Sequence, residues 1–373
     1  MRIKKMSDKQ LQKAGDNSKQ IQTGDIYISN GISEQRVREI CSEIAGKAIA
    51  DNSREAIDIA MKRIDFFTDL LLPRMQSIEK AFDSFSDPSF QVLLRKAQLT
   101  AACSDRNSDF KILIELLTHR VKNKKDVKKK ASISKAIEII DQIDDDSLYA
   151  LTLIHAIDSF VPTTGNIFQG IKTLSDLYEK IGYINLPKDN LWVDNLSILG
   201  CINVSPLFIQ NDFDEQFFNR LNGYTCAGIK KEDENYKKAI ELLNKYGIST
   251  NILVDHELNE GYVRLCVAQK GQIKDLCLHQ VVNINGIPQI VNVQLTEEQK
   301  LCLNQIFELS SKDAVAIKRV KEKFLEQLNS HEPIKQIIEW RNKVGTAFNL
   351  TSIGKVIAHA NAKKIDKTLP DLD

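Results

Sequence analysis

Gly31-Ile-Ser-Glu-Gln-Arg-Val-Arg-Glu-Ile-Cys-Ser-Glu-Ile-Ala-Gly-Lys-Ala48 decides the fold class of this chain. Val37, Ile40, Cys41, Ile44 and Ala48 recur at three- and four-residue spacing, which lines one face of an α-helix. Ser33 stands where an N-cap is needed, with Glu34 in the first turn. Downstream, Asp51-Asn-Ser53 can re-cap a second helix, whose stripe runs through Ile57, Ala60, Met61, Ile64, Phe67 and Leu71. Pro73 is expected to kink or end it, and the pattern resumes through Ile78, Ala81, Phe82 and Phe85. The fold class is therefore mainly α.

On the N-terminal side lies Gln12-Lys-Ala-Gly-Asp-Asn-Ser-Lys-Gln-Ile-Gln-Thr-Gly-Asp-Ile-Tyr-Ile-Ser-Asn30, a Gln- and Asn-rich stretch bent at Gly15 and Gly24. Its two half-strands, Lys19 to Thr23 and Asp25 to Ser29, alternate polar and apolar residues. A lone two-stranded ribbon is marginal in water, and its edge groups must find partners. Copies of itself are the expected partners, with Gly15, Asp16, Asn17, Gln20, Ile21, Gln22, Gly24, Ile26 and Ile28 forming the interface and the amides stacking as ladders; the alternative reading is a disordered polar arm.

On the C-terminal side, Asp87-Pro88 reads as an N-cap followed by proline at N1. Another helix follows through Ile112, Leu113, Leu116 and Leu117. The stretch from Arg120 to Lys135 is strongly basic, and Lys124, Lys125, Lys128, Lys129 and Lys130 are its candidate nucleic-acid contacts. No aromatic residue interleaves these lysines as a stacking platform requires, so a solvated helix end and linker is the preferred reading. Two more helices follow to Ile184, the second stopped by Gly182.

Beyond Asn190 the pattern is mixed. Short helices alternate with a strand candidate at Cys201 to Val204, and two hairpins flank Leu258-Asn-Glu-Gly261 and Asn285-Gly-Ile-Pro288. Helix-then-hairpin order resembles winged-helix modules, an analogy of element order only. Thr296, His331-Glu-Pro333 and Thr351 or Ser352 open the closing helices, and the polar tail after Ile365 is expected to fray. The expected divisions are an assembly ribbon over 1–31, a helical bundle or stalk over 32–130, a helical then α+β domain over 131–295, and a helical region over 296–373.

Composition excludes several classes. A net charge of +1 gives no global pull towards nucleic acid or an anionic membrane. The seven scattered cysteines suit reduced thiols in a cytoplasmic protein, and no run of apolar residues has membrane-spanning length. The opening Met-Arg-Ile-Lys-Lys-Met lacks the apolar core of a signal peptide.

No phosphate loop, nucleophile elbow, zinc-protease pair or Cys-x-x-Cys motif occurs. Cys266, Cys277 and His279 lack the spacing of a zinc site. His155 with Asp158, and His256 with Glu257, are candidate acid–base pairs, but His155 on an apolar helix face reads better as structural and His256, at a hairpin mouth, has no defined nucleophile nearby. No catalytic residue, metal or cofactor is assigned.

Ala14-Gly-Asp-Asn-Ser-Lys-Gln-Ile-Gln-Thr-Gly24, followed by Gly31 to Ile40, resembles the opening of a family of uncharacterised bacterial proteins. Phe348-Asn-Leu-Thr-Ser-Ile-Gly-Lys-Val-Ile-Ala-His-Ala-Asn361 resembles that family's tail and, more loosely, the end of Abi-alpha-type abortive-infection proteins. The resemblance implies a bacterial cytosolic protein in anti-phage defence and brings no catalytic residues. The expected function is a non-enzymatic homo-oligomer that senses or binds a phage or host protein. The alternatives are a nucleic-acid binder using the 120–135 basic run and a winged-helix-like hairpin, and an effector enzyme without a recognisable motif.

Overall fold

The computed structural model describes residues 33–48, 54–123, 126–204, 213–284 and 287–372. The expected N-terminal ribbon, the Asp51-Asn-Ser53 cap, Lys124, Lys125 and the Asn285-Gly286 turn lie outside the described residues.

The first bundle begins with α1 (Glu34–Ala48) and α2 (Arg54–Gln76). The Ser33 hydroxyl accepts from the Arg36 amide at 3.3 Å, as an N-cap does. Pro73 does not end α2, which runs on to Gln76, and Ser77 N–H still reaches the Pro73 carbonyl at 3.2 Å. The break comes at Lys80, whose φ of 56° lies in the left-handed region, and Phe82–Ser86 restarts only as a 3-10 turn. Asp87 then caps α3 (Pro88–Cys103), accepting from Ser89 N–H at 2.9 Å. Helices α4 (Asn107–Lys122) and α5 (Val127–Ile139) follow, and Asp126 caps α5.

Helix α6 (Asp145–Ser159) is capped by Asp144 and is apolar around most of its circumference, as a helix surrounded on all sides should be. Leu148, Ala150, Leu151 and Ile154 enter one apolar cluster, while Leu153, Ala156 and Ile157 enter a second. Helix α7 (Ile167–Ile181) stops at Gly182, whose φ of 98° suits glycine. Next come α8 (Leu191–Ile198), β1 (Ile202–Val204), α9 (Phe213–Arg220) and α10 (Asn222–Thr225).

A third apolar cluster is built from β2 (Ile229–Lys230), α11 (Glu234–Lys245), β3 (Leu253–Asp255), β4 (Tyr262–Leu265) and their surroundings. These strands form an antiparallel sheet in the order β2-β4-β3. The second hairpin, β5 (Cys277–Ile284) with β6 (Ile287–Gln294), forms a separate two-stranded ribbon. Both expected hairpins are present, in different sheets.

The chain closes with α12 (Glu297–Glu308), α13 (Ala314–Asn329), α14 (Glu332–Val344), β7 (Phe348–Leu350) and α15 (Ser352–Ile365). Strand β7 pairs antiparallel with β1, Asn203 opposite Asn349, and this bridge returns the chain to the first bundle. There α15 packs against α4, α5 and α6. The approach is close: a Cβ on Gly354 would lie 2.1 Å from the Cys201 carbonyl oxygen. The first cluster thus takes residues from both sides of position 130 and from the C-terminal helix.

The tail after Ile365 does not fray. Asp366 accepts from Thr368 N–H and Lys180 Nζ, each at 2.9 Å, and Lys363 Nζ donates to the Leu369 carbonyl at 2.6 Å. Leu369 and Leu372 pack against the second and first clusters. Residues 366–372 are therefore a strap laid across the bundle. Among the described residues, no helix is long and apolar enough to cross a membrane.

Candidate functional site

The concentration of buried polarity lies where α15 meets α4 and α6. Thr152, His155 and Ser159 are spaced by three and four residues, so they share one face of α6. From α15, His359 and Asn361 meet that face. His155 Nε2 lies 3.2 Å from His359 Nδ1, the Ser159 hydroxyl 3.1 Å from His155 Nδ1, and Asn361 Nδ2 donates to the Thr152 hydroxyl at 2.8 Å. Both imidazoles are almost fully buried. His119 of α4 continues the row, its ring centroid 5.5 Å from that of His359.

Ser159, His155 and His359 stand in the order of a nucleophile, a base and an orienting group. The electrostatics oppose that role. Burial pushes His155 down to about 3, aided by the neighbouring His359, and pushes His359 down to about 4, aided by His119. Burial lowers His119 as well. An effective general base has a pKa near the working pH. These imidazoles instead stay neutral, each with one N–H and one lone pair. The chain consequently has two tautomeric settings: a donor on His359 Nε2 requires His155 to donate to His359 and Ser159 to donate to His155.

Past His359 the row opens into a cleft between α4 and α15, lined by Thr118, His119, Lys122, His359 and Lys363 and closed by Asp371 of the strap. It has room for on the order of one water molecule. Asp371 Oδ2 meets Lys122 Nζ at 2.6 Å and Oδ1 meets Lys363 Nζ at 3.2 Å. Lys122 and Lys363 hold the Asp371 carboxyl down to about 2. Thr118 Oγ1, His119 Nε2 and His359 Nε2 are buried without a hydrogen-bond partner. The Pro370 carbonyl faces His359 and opposes the lowering of its pKa, without completing a bond of good geometry.

The pairs expected from sequence are placed differently. His155 does not meet Asp158, which accepts from the Gln216 side chain and is pushed upward by burial. His256 is held by backbone at both nitrogens, Nε2 2.7 Å from the Cys226 carbonyl and Nδ1 accepting from Leu258 N–H at 3.2 Å. Glu257 instead grips Arg264, a fully buried guanidinium that also donates to the Leu265 carbonyl and lies over the Tyr224 ring. Glu257 Oε1 accepts from Ile167 N–H at 3.0 Å, which ties the β3–β4 hairpin to the start of α7. This junction is structural.

Of the basic run, Lys128, Lys129 and Lys130 occupy the first turn of α5. Arg120 is buried against Ser89, and Lys122 belongs to the strap site. The run therefore divides among separate tasks. Among the described residues, no three His, Cys, Asp or Glu are grouped to hold a metal ion, and the seven cysteines are free thiols. Sequence reasoning missed His119, His359 and Asp371. The one local signal was the Thr152, His155 and Ser159 stripe on an otherwise apolar helix.

A family model whose description reads only ":-like", with no activity named, matches residues 31–372, and the chain belongs to that family. No curated protein and no solved structure matches the chain.

Proposed function

We propose that this member of the family works by association: a homo-oligomeric scaffold or sensor that binds a protein partner in anti-phage defence. The observation that carries the reading is the β5–β6 ribbon. Residues 277–294 contain no Lys, Arg, Asp or Glu, in a chain that is 27% charged. Among the described residues, β5 and β6 share a sheet only with each other, and such edges are usually blunted by charge or covered. Pro288 supplies no N–H, and proline is tolerated in a ribbon where its missing donor faces outward, so β6 has a weakened outer edge. Strand β5 keeps an N–H at every position. An uncharged edge with its full set of donors suits pairing with an identical strand or with an extended segment of another protein. The N-terminal stretch Gly15 to Ile28 is a second proposed assembly element, and the Abi-alpha-like closing stretch supports the defence setting.

Solution mass by light scattering tests this reading on three chains: the full chain, a chain lacking residues 1–31, and Val281→Lys in β5. The full chain should be a defined oligomer, and Val281→Lys should lower its mass while leaving the far-ultraviolet circular dichroism unchanged. A full chain that stays monomeric throughout the micromolar range overturns the reading. If only the truncated chain becomes monomeric, assembly belongs to the N-terminal stretch and not to the β5 edge.

A further inference from the structure

We propose that the cleft between α4 and α15 is a binding site for a phosphoryl group, and that the strap carboxylate of Asp371 occupies it as an intramolecular stand-in. The first support is charge. Lys122 and Lys363 converge on one point, and the negative charge between them belongs to Asp371 of the strap. The other acidic group lining the cleft, Glu115, is engaged by Arg74 through two hydrogen bonds of 3.1 Å. Removing the Asp371 side chain leaves two ammonium groups facing neutral imidazoles.

The second support is the count of oxygens. A carboxylate has two, and Asp371 spends one on each lysine. Thr118 Oγ1 and His119 Nε2 are then left unpaired and His359 Nε2 has only the Pro370 carbonyl, without a bond of good geometry, with Thr118 and His359 each 2% exposed. Buried polar atoms without partners are costly and rare, and three around one cleft call for a ligand richer in acceptors. A phosphoryl group brings three or four oxygens, enough for both lysines and the remaining donors together. Its bulk corresponds to the carboxylate plus the single water the cleft admits.

The third support is that the donors can be set to suit. Each of the three unpaired groups can present a hydrogen to the cleft in its neutral form. An anion there selects the tautomer with the hydrogen on His359 Nε2, which passes along the row to His155 and fixes the Ser159 hydroxyl as a donor. Binding is thereby coupled to the polarity of a hydrogen-bonded chain across α15 and α6. Displacement of Asp371 frees the strap, whose remaining ties are Asp366, Leu369 and Leu372.

The test is calorimetric titration of the full chain with inorganic phosphate at about pH 7.5, where the ion is mostly dianionic. Asp371→Asn should bind phosphate about tenfold or more tightly than the unmodified chain, because competing carboxylate and ligand no longer share the lysines. Adding Lys122→Met to that variant should abolish the gain. Glycerol 3-phosphate and acetate form the other arms. Binding of the ester shows that the site accepts a phosphomonoester, and binding of inorganic phosphate alone shows a closed site for the free ion. Acetate binding as tightly as phosphate, or no gain in Asp371→Asn, overturns the proposal. Should that variant fail to fold, amide exchange of the unmodified chain decides: phosphate, but not acetate at equal ionic strength, should speed exchange at Leu369, Asp371 and Leu372. Unchanged exchange there also overturns it.

Discussion

The histidine seam and the β5–β6 ribbon place polarity in opposite ways. In the seam, Thr152, His155, His359 and Asn361 sit where water does not reach, and they are held by one another. In the ribbon, charge is absent from residues 277–294, whose two strands have no third strand beside them among the described residues. Buried polar groups restrict how helices can register, because a misplaced partner leaves an orphan. An uncharged open edge does the reverse and invites a partner from outside. Uniqueness of the fold rests on the seam, whereas the association proposed above would run through a separate region, the open ribbon edge.

The largest effect expected from breaking this comparison comes from a third region, the buried ion pair. Arg264→Met leaves Glu257 without its counter-charge and the Gly165 carbonyl, just before α7, without its guanidinium donor, which should cost about 3–5 kcal/mol of stability. Urea unfolding would register it as a lower midpoint. A loss below about 1 kcal/mol would show that water reaches Glu257 and satisfies it.

The seam is tested by acid. His155 and His359 have folded-state values of about 3 and about 4, below their ordinary value of 6.5. Above that ordinary value both states are neutral, and stability should not change with pH on their account. As pH falls below it, the unfolded chain takes up protons that the folded chain refuses, so stability should drop towards about pH 4 by on the order of a few kcal/mol. His155→Leu should flatten the slope. A slope unchanged by that substitution would mean the imidazoles are not desolvated.

A smaller effect tests the seam's geometry. Gly354→Ala brings a methyl against the Cys201 carbonyl and must push α15 away from the end of α8 and the start of β1. The expected cost is about 1–3 kcal/mol, read as a lower thermal midpoint. It should be accompanied by shifted ring resonances of His119 and His359.

What was legible in the sequence divides along the same line. Asp87-Pro88, Gly182, Thr296 and the two hairpins are readable because a cap, a left-handed glycine or a pair of strand-like runs bounded by turn residues is decided by neighbours a few positions away. Lys80 overrode the helical pattern after Pro73 through one left-handed backbone angle, which lysine does not advertise. The pairing of β1 with β7, the return of α15 to α4 and α6, and the strap over Lys122 and Lys363 join residues far apart in the chain. Those partners are chosen by the shape of the completed core. His155 was legible as a histidine on an apolar helix, but His119 and His359 could be placed beside it only by the fold.

Association through the β5 edge, proposed above, can be checked by amide hydrogen exchange of the full chain across a hundredfold range of concentration, read together with solution mass. Exchange at β5, from Leu278 to Asn283, should slow as concentration and mass rise, while the seam helices α6 and α15 exchange at constant rates. Exchange at β5 that is independent of concentration while the mass rises would contradict it and move the interface elsewhere.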